Sequence, residues 1–281
     1  MKNATRIWPT AVTLLCSLIK WVEIGAGVRN NRHPRISSTA SDSKEVTNYL
    51  DHCGLHDYVG RPKESKKSLY SDAEIVKIVR EKSKSLDAIS EREEAIIKLI
   101  ENNCNLDSEN VEWFNSIVIT ETFANITEHG NPYRDQGWWI LAQKHKSHGY
   151  ISLCLADNGI GIKNSLLTGP QKSELYARGL SASTTDGDFI SAALSFNISG
   201  AFDASLKQGL LLKRYERGSR RGNGLSRIKE TCIKLGIEWG ILSHYGYAFL
   251  DKSGKIINVG NRKNRIYGGT MYWFKIEIGK Q

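Results

Sequence analysis

Glu121, Asn125 and His129 recur at four-residue intervals in Ile119-Thr-Glu-Thr-Phe-Ala-Asn-Ile-Thr-Glu-His-Gly130, so on a helix a carboxylate, an amide and an imidazole line one strip. Alone, such a strip is the pattern of a solvated helix face. Three further stretches carry chemistry. Asp157-Asn-Gly-Ile-Gly161 places an acidic group at the end of a predicted strand, followed by glycines that let a ligand approach the backbone; a buried carboxylate there can accept a hydrogen bond from an exocyclic amine of the kind adenine presents. Asn158-Gly159 would equally make a hairpin turn. Gly222-Asn-Gly224-Leu225, preceded by Arg217, Arg220 and Arg221 and followed by a helix, has the makings of a phosphate cradle, since free N–H groups, a positive helix end and guanidinium forks act together. It is equally a basic loop entering a helix. Gly268-Gly269-Thr270 opens a strand and by itself is a turn.

The elements that must position these groups can be read from periodicity. A helix begins at Asp107 or Ser108 and stops at Gly130, with Ile117, Phe123, Ala124 and Ile126 as its packing faces. Trp138 to Gln143 and Tyr150 to Ala156 read as strands joined by a turn, the second delivering Asp157. The next sixty or so residues, rich in Ser, Gly and Leu, are expected to be mobile connections with one or two helices near Phe189 to Leu194. A helix from Ser226 to Leu235 follows. Strands at Ile237 to Ser243, Lys255 to Val259 and Thr270 to Ile278 complete the pattern.

Upstream, a helix from Pro9 to Ile24 is expected to end at Gly25-Ala-Gly27, with an irregular strand from Val28 to Ser37 and a second helix from Asp42 to Cys53. Together these suggest a small α/β unit. The polar run Arg61-Pro-Lys-Glu-Ser-Lys-Lys-Ser68 reads as a domain boundary. Residues 72–85 fit either strand or helix. Ser90-Glu-Arg-Glu93 has capping-box spacing and predicts a helix from there to Asn102.

The 281-residue chain is 40% hydrophobic and 25% charged, a globular composition, and its formal charge of +9 suggests an anionic partner. The five cysteines are scattered, with no Cys-x-x-Cys pair, so a reducing cytoplasm is expected rather than a disulfide framework or a zinc knuckle. His52, Cys53 and His56, or His145 and His148, offer too few ligands for a closed tetrahedral metal site. Lys2 and Arg6 before an apolar run imitate a signal peptide, but the run is too short to span a bilayer and its polar interleaving describes an amphipathic helix.

In combination and in this order, Glu121-x-x-x-Asn125-x-x-x-His129-Gly130, Asp157-x-Gly159-x-Gly161, Gly222-x-Gly224-Leu225 and Gly269-Thr270 resemble the N, G1, G2 and G3 boxes of the GHKL ATPases, the superfamily of gyrase, Hsp90, MutL and histidine kinases. The resemblance covers residues 87–281. It implies an α/β fold of the Bergerat type, a mixed sheet covered by helices on one face, with an ATP lid at about 162–221. It also implies ATP and Mg²⁺ as ligands. Asn125 would hold the Mg²⁺ and Asp157 the adenine amine, with Gly159 and Gly161 shaping that pocket. Gly222, Gly224 and Leu225 would close over the triphosphate beside His129 and the three arginines, and Thr270 would support the adenine end. Glu121 stands where the hydrolysing and serine-phosphorylating branches keep their general base. No P-loop is present.

The form of the first box is most similar to anti-sigma-factor serine kinases and to proteins joining a STAS-like domain to such an ATPase. Gyrase, MutL and Hsp90 need a transducer after the ATPase unit, and sensor kinases need a phosphoaccepting His before it. Residues 1–62 resemble a shortened STAS module, 63–86 a bridging segment. Ile7-Trp-Pro-Thr10 stands where STAS domains carry their phosphoacceptor, so that module is expected to be a docking surface, and a protein partner is expected to bind through it or through the lid. The expectation is therefore a cytoplasmic regulatory ATPase or protein serine/threonine kinase, not membrane-bound, with a homodimer left open. Two alternatives remain: a nucleic-acid module using Lys213 to Arg221 with Arg262, Lys263 and Arg265, and a nucleotide sensor without catalysis.

Overall fold

The computed structural model of the chain describes residues 8–30, 43–59, 74–81, 86–129, 137–169, 172–195, 224–264 and 268–278. Its centre is a seven-stranded sheet in the order β1-β2-β3-β7-β4-β5-β6. The strands are β1 (Ile75–Glu81), β2 (Trp138–His145), β3 (Tyr150–Asp157), β4 (Glu238–Ser243), β5 (Gly246–Leu250), β6 (Ile256–Asn261) and β7 (Thr270–Glu277). Of residues 72–85, compatible with either period, Ile75–Glu81 form a strand. All six neighbouring pairs are antiparallel, so the described sheet is antiparallel where a mixed one was expected. The last strand, β7, lies in the middle, between β3 and β4.

The helices are α1 (Pro9–Asn30), α2 (Lys44–His52), α3 (Leu55–Tyr58), α4 (Leu86–Glu101), α5 (Ser108–Trp113), α6 (Thr120–His129), α7 (Gly161–Thr168), α8 (Lys172–Ala177), α9 (Asp186–Ser195) and α10 (Gly224–Leu235). Alternation along the strands sends side chains to both faces, and both are covered. On one face, Ile140, Leu153, Phe274, Trp239 and Leu250 pack with Ile96, Phe114, Phe123, Phe189 and Ile228 into the main core. On the other, Trp139, Leu141, Ile75 and Ile78 pack against Val12, Cys16, Val46, Leu50 and Leu55 of α1–α3. The helices from residue 86 onward contribute to the main core, and the outer face is covered by α1–α3 of the N-terminal segment, so β2 alternates between two apolar partners.

The described residues between 8 and 59 form helices and turns, and residues 31–37 of the expected Val28–Ser37 strand lie outside the described residues. The helix α1 runs through Gly25-Ala-Gly27 to Asn30, past its expected stop, and so takes in the start of the expected Val28–Ser37 strand. Its outer layer is pinned by polar bonds across the sheet: Trp139 Nε1 donates to the Tyr58 hydroxyl (2.9 Å), which donates to the Cys16 carbonyl (3.3 Å). In α4, Ser90 lies inside rather than at the start, because the helix begins four residues earlier at Leu86. The expected lid is in part core: Ile162, Leu166, Leu175, Phe189 and Leu194 of α7–α9 are buried in the main cluster. Residues 196–223 lie outside the described set. Among the described residues no helix is long and apolar enough to cross a membrane.

Candidate functional site

Asp107 starts the helix that carries the first strip: its carboxylate accepts from the Asn110 N–H (2.8 Å), the N-cap bond that satisfies an otherwise orphaned donor. From α5 the helix passes through a π-helical stretch, Phe114–Ile119, directly into α6. There the Thr120 hydroxyl donates to the Asn115 carbonyl five residues back (2.9 Å). Such widened turns recur where a helix must re-aim the residues that follow. Phe114, Val118, Ile119, Phe123 and Ile126 bury one side of this rod, and Glu121 and Asn125 face the start of α10.

That approach is close. A Cβ on Gly224, the first residue of α10, would stand 3.1 Å from Glu121 Oε2 and 3.5 Å from Asn125 Oδ1. Arg227, one turn further on, pairs through Nη1 with Glu121 Oε1. Glu121 is 8% exposed. The Asn125 Nδ2 atom is buried and has no hydrogen-bond partner, an expensive condition that a polar ligand would relieve.

At the other end, β3 and β7 bring Asp157 opposite Thr270, and β4 brings Ser243 opposite the same threonine. Asp157 Oδ1 accepts from the Gly159 N–H at 2.6 Å. Burial lifts this carboxyl to about 7, with the N–H groups of Gly159 and Thr270 pulling the other way. Gly269 is tolerable only as glycine, since a Cβ would lie 2.0 Å from the Asp157 carbonyl oxygen and 2.6 Å from the Gly159 nitrogen. Gly161 has φ +78°, and a Cβ there would meet the His244 ring at 2.6 Å.

Ser243 ties these pieces together. Its hydroxyl accepts from the Ile162 N–H (2.9 Å) and donates to the Gly269 carbonyl (3.2 Å), 3.4 Å from Thr270 Oγ1. Tyr272 joins the two ends of the site. Burial raises its phenol, as does the Asp157 charge, while the nearby Asn125 side chain opposes them. Ser243, His244, Tyr272 and Arg227 were not singled out from sequence; only the small polar residue closing an apolar strand at Ser243 gave a hint of what tertiary placement supplies.

Of the expected site residues, Glu121, Asn125 and Gly224 are brought together, as are Asp157, Gly159, Gly161 and Thr270. Leu225 is half-buried against the main core, and His129 closes α6. Arg217, Arg220, Arg221 and Gly222 lie outside the described residues. His56 pairs with Asp51 in the buried outer layer, and His145 and His148 flank Tyr150. No group of three or more His, Cys, Asp or Glu suited to a metal occurs among the described residues. No protein-family model matches the chain, and no curated protein matches it in sequence.

Proposed function

We propose that the chain is an ATP- and Mg²⁺-binding regulatory protein of the GHKL type, which hydrolyses ATP slowly or transfers its γ-phosphate to a serine or threonine of a partner protein. What supports this reading is the pairwise meeting of four sequence-distant stretches, Glu121 and Asn125 with Gly224, and Asp157 with Gly269-Thr270, with a buried acceptor at Asp157 and an unsatisfied amide at Asn125. The residues fit the ligands. Magnesium takes few protein ligands and completes its shell with phosphate oxygens and water, so the Asn125 amide oxygen suffices without an acidic cluster. When bound, the ion neutralises charge on the phosphates.

The chain's own groups then divide the work. Ionised Asp157 accepts from the adenine amine, while Ser243 and Gly269 keep its surroundings closed to bulk. Asn125 meets the metal end, and Gly224 lets the α10 N-terminus approach without a side chain intervening. Glu121 receives the proton of the attacking water or hydroxyl. The helices α1–α3 on the opposite sheet face offer the partner-contacting surface.

Titration of the full chain with a fluorescent, nonhydrolysable ATP analogue tests the reading. Binding is expected to need Mg²⁺, to fail in Asn125→Ala and Asp157→Ala, and to survive in Glu121→Ala, which loses phosphate release or transfer. Undiminished binding in the double variant N125A/D157A would sink the assignment.

A further inference from the structure

We propose that Arg227 is the positioning residue for Glu121, so that the placement of the first turn of α10 sets whether this carboxylate can act; the inference rests on the functional reading above and specifies how that site is regulated. Glu121 comes from the turn after the π-helical stretch and Arg227 from the first turn of α10, two elements joined only by tertiary packing. The guanidinium takes one carboxylate oxygen, Oε1, while the other, Oε2, is turned toward Gly224. A planar, permanently charged fork fixes the orientation of a carboxylate in a way an ammonium does not.

The Arg227 side chain is 33% exposed and the Glu121 side chain 10%, so the pair is part-buried, with the carboxylate the more enclosed partner. A guanidinium reaching in from the rim to one oxygen of an enclosed carboxylate acts on where Glu121 points. Misplacement of a reacting group by about 1 Å can cost about 10²-fold in rate.

The test uses the full chain. In steady-state Mg-ATP turnover, Arg227→Gln is expected to lower kcat by about 30- to 100-fold with KM for ATP within about threefold, and Arg227→Lys to recover part of that loss. An unchanged kcat, or a rise in KM alone, would overturn the inference, the latter by making Arg227 a ground-state phosphate contact. A double-mutant cycle of Glu121→Gln and Arg227→Gln, followed by urea unfolding without nucleotide, reports the pair by itself: the combined shift in midpoint is expected to differ from the sum of the single shifts. Additive shifts reject the positioning contact while leaving the ATP reading intact. Coupled shifts among the variants, together with a wild-type chain that neither hydrolyses nor transfers phosphate, reject the ATP reading, and the inference with it.

Discussion

Asp157 and Thr270 stand opposite one another on β3 and β7, and the Gly159 N–H donates to the buried aspartate. The pairing places a carboxyl that burial would keep protonated beside donors that favour its ionised form.

From this follows a dependence of stability on pH. Between the ordinary 3.8 and about 7 the folded chain holds a proton on Asp157 that the unfolded chain has released. Its favourable contribution is therefore complete below 3.8 and is lost as pH rises through about 7. Asp157→Asn keeps an acceptor for Gly159 and removes the titration. In urea unfolding the variant is expected to be more stable than wild type at pH 8, by on the order of 3 kcal/mol, with the gap closing near pH 4. Nucleotide affinity moves the opposite way: wild-type binding should strengthen as pH rises through about 7, because only the ionised carboxyl accepts from the adenine amine.

Gly224→Ala separates function from fold at the opposite end. The helix tolerates alanine at its first residue, so stability is expected to change by less than about 1 kcal/mol. The new methyl would sit 3.1 Å from Glu121 Oε2 and press on the Asn125 amide. Turnover is expected to fall by about 10²-fold, measured as phosphate release or phosphoprotein.

Gly269→Ala should behave differently, because the methyl meets backbone. At 2.0 Å from the Asp157 carbonyl oxygen there is no side chain to swing aside. A loss of about 4 kcal/mol or more is expected in urea unfolding, the range reserved for severe steric or polar defects.

Deleting residues 1–59 should expose Trp139, Leu141, Ile75 and Ile78 on the outer sheet face. At about 2 kcal/mol for each side chain, the lost burial is comparable to the whole stability of an ordinary domain. The truncated chain is expected to bind a hydrophobic dye and to lose a sharp unfolding transition; a truncated chain that melts as sharply as the full one would show the helices to be dispensable.

Much of the fold was legible because local chemistry agreed with it. Asp107 caps the helix expected there, and β2, β3, β4 and β7 fall within about two residues of the alternating runs that announce them. The strand β5 was missed for a physical reason. It is reached from β4 through His244-Tyr245, and His244 takes the left-handed φ of 51° that tight hairpins require and that glycine or asparagine usually signals. The glycines of α1 misled in the opposite sense, as the helix runs on through them. At the site, the spacing of Glu121 and Asn125 and the runs at Asp157 and Gly224 could be read because each is contiguous. Ser243, Tyr272 and Arg227 could not, since their roles arise only when β7 inserts between β3 and β4 and α10 docks on α6.

The π-helical stretch makes this protein tolerant of a lost residue at one place. A π turn takes about one residue more than an α turn, so trimming one residue from 114–119 would rewind that segment into regular helix with what lies beyond it still nearly in phase with what lies before. Glu121 and Asn125 would keep their azimuth toward Gly224. A one-codon deletion here should thus be gentler on activity than the same deletion between Glu121 and Asn125, which turns the later side chains of α6 by about 100°.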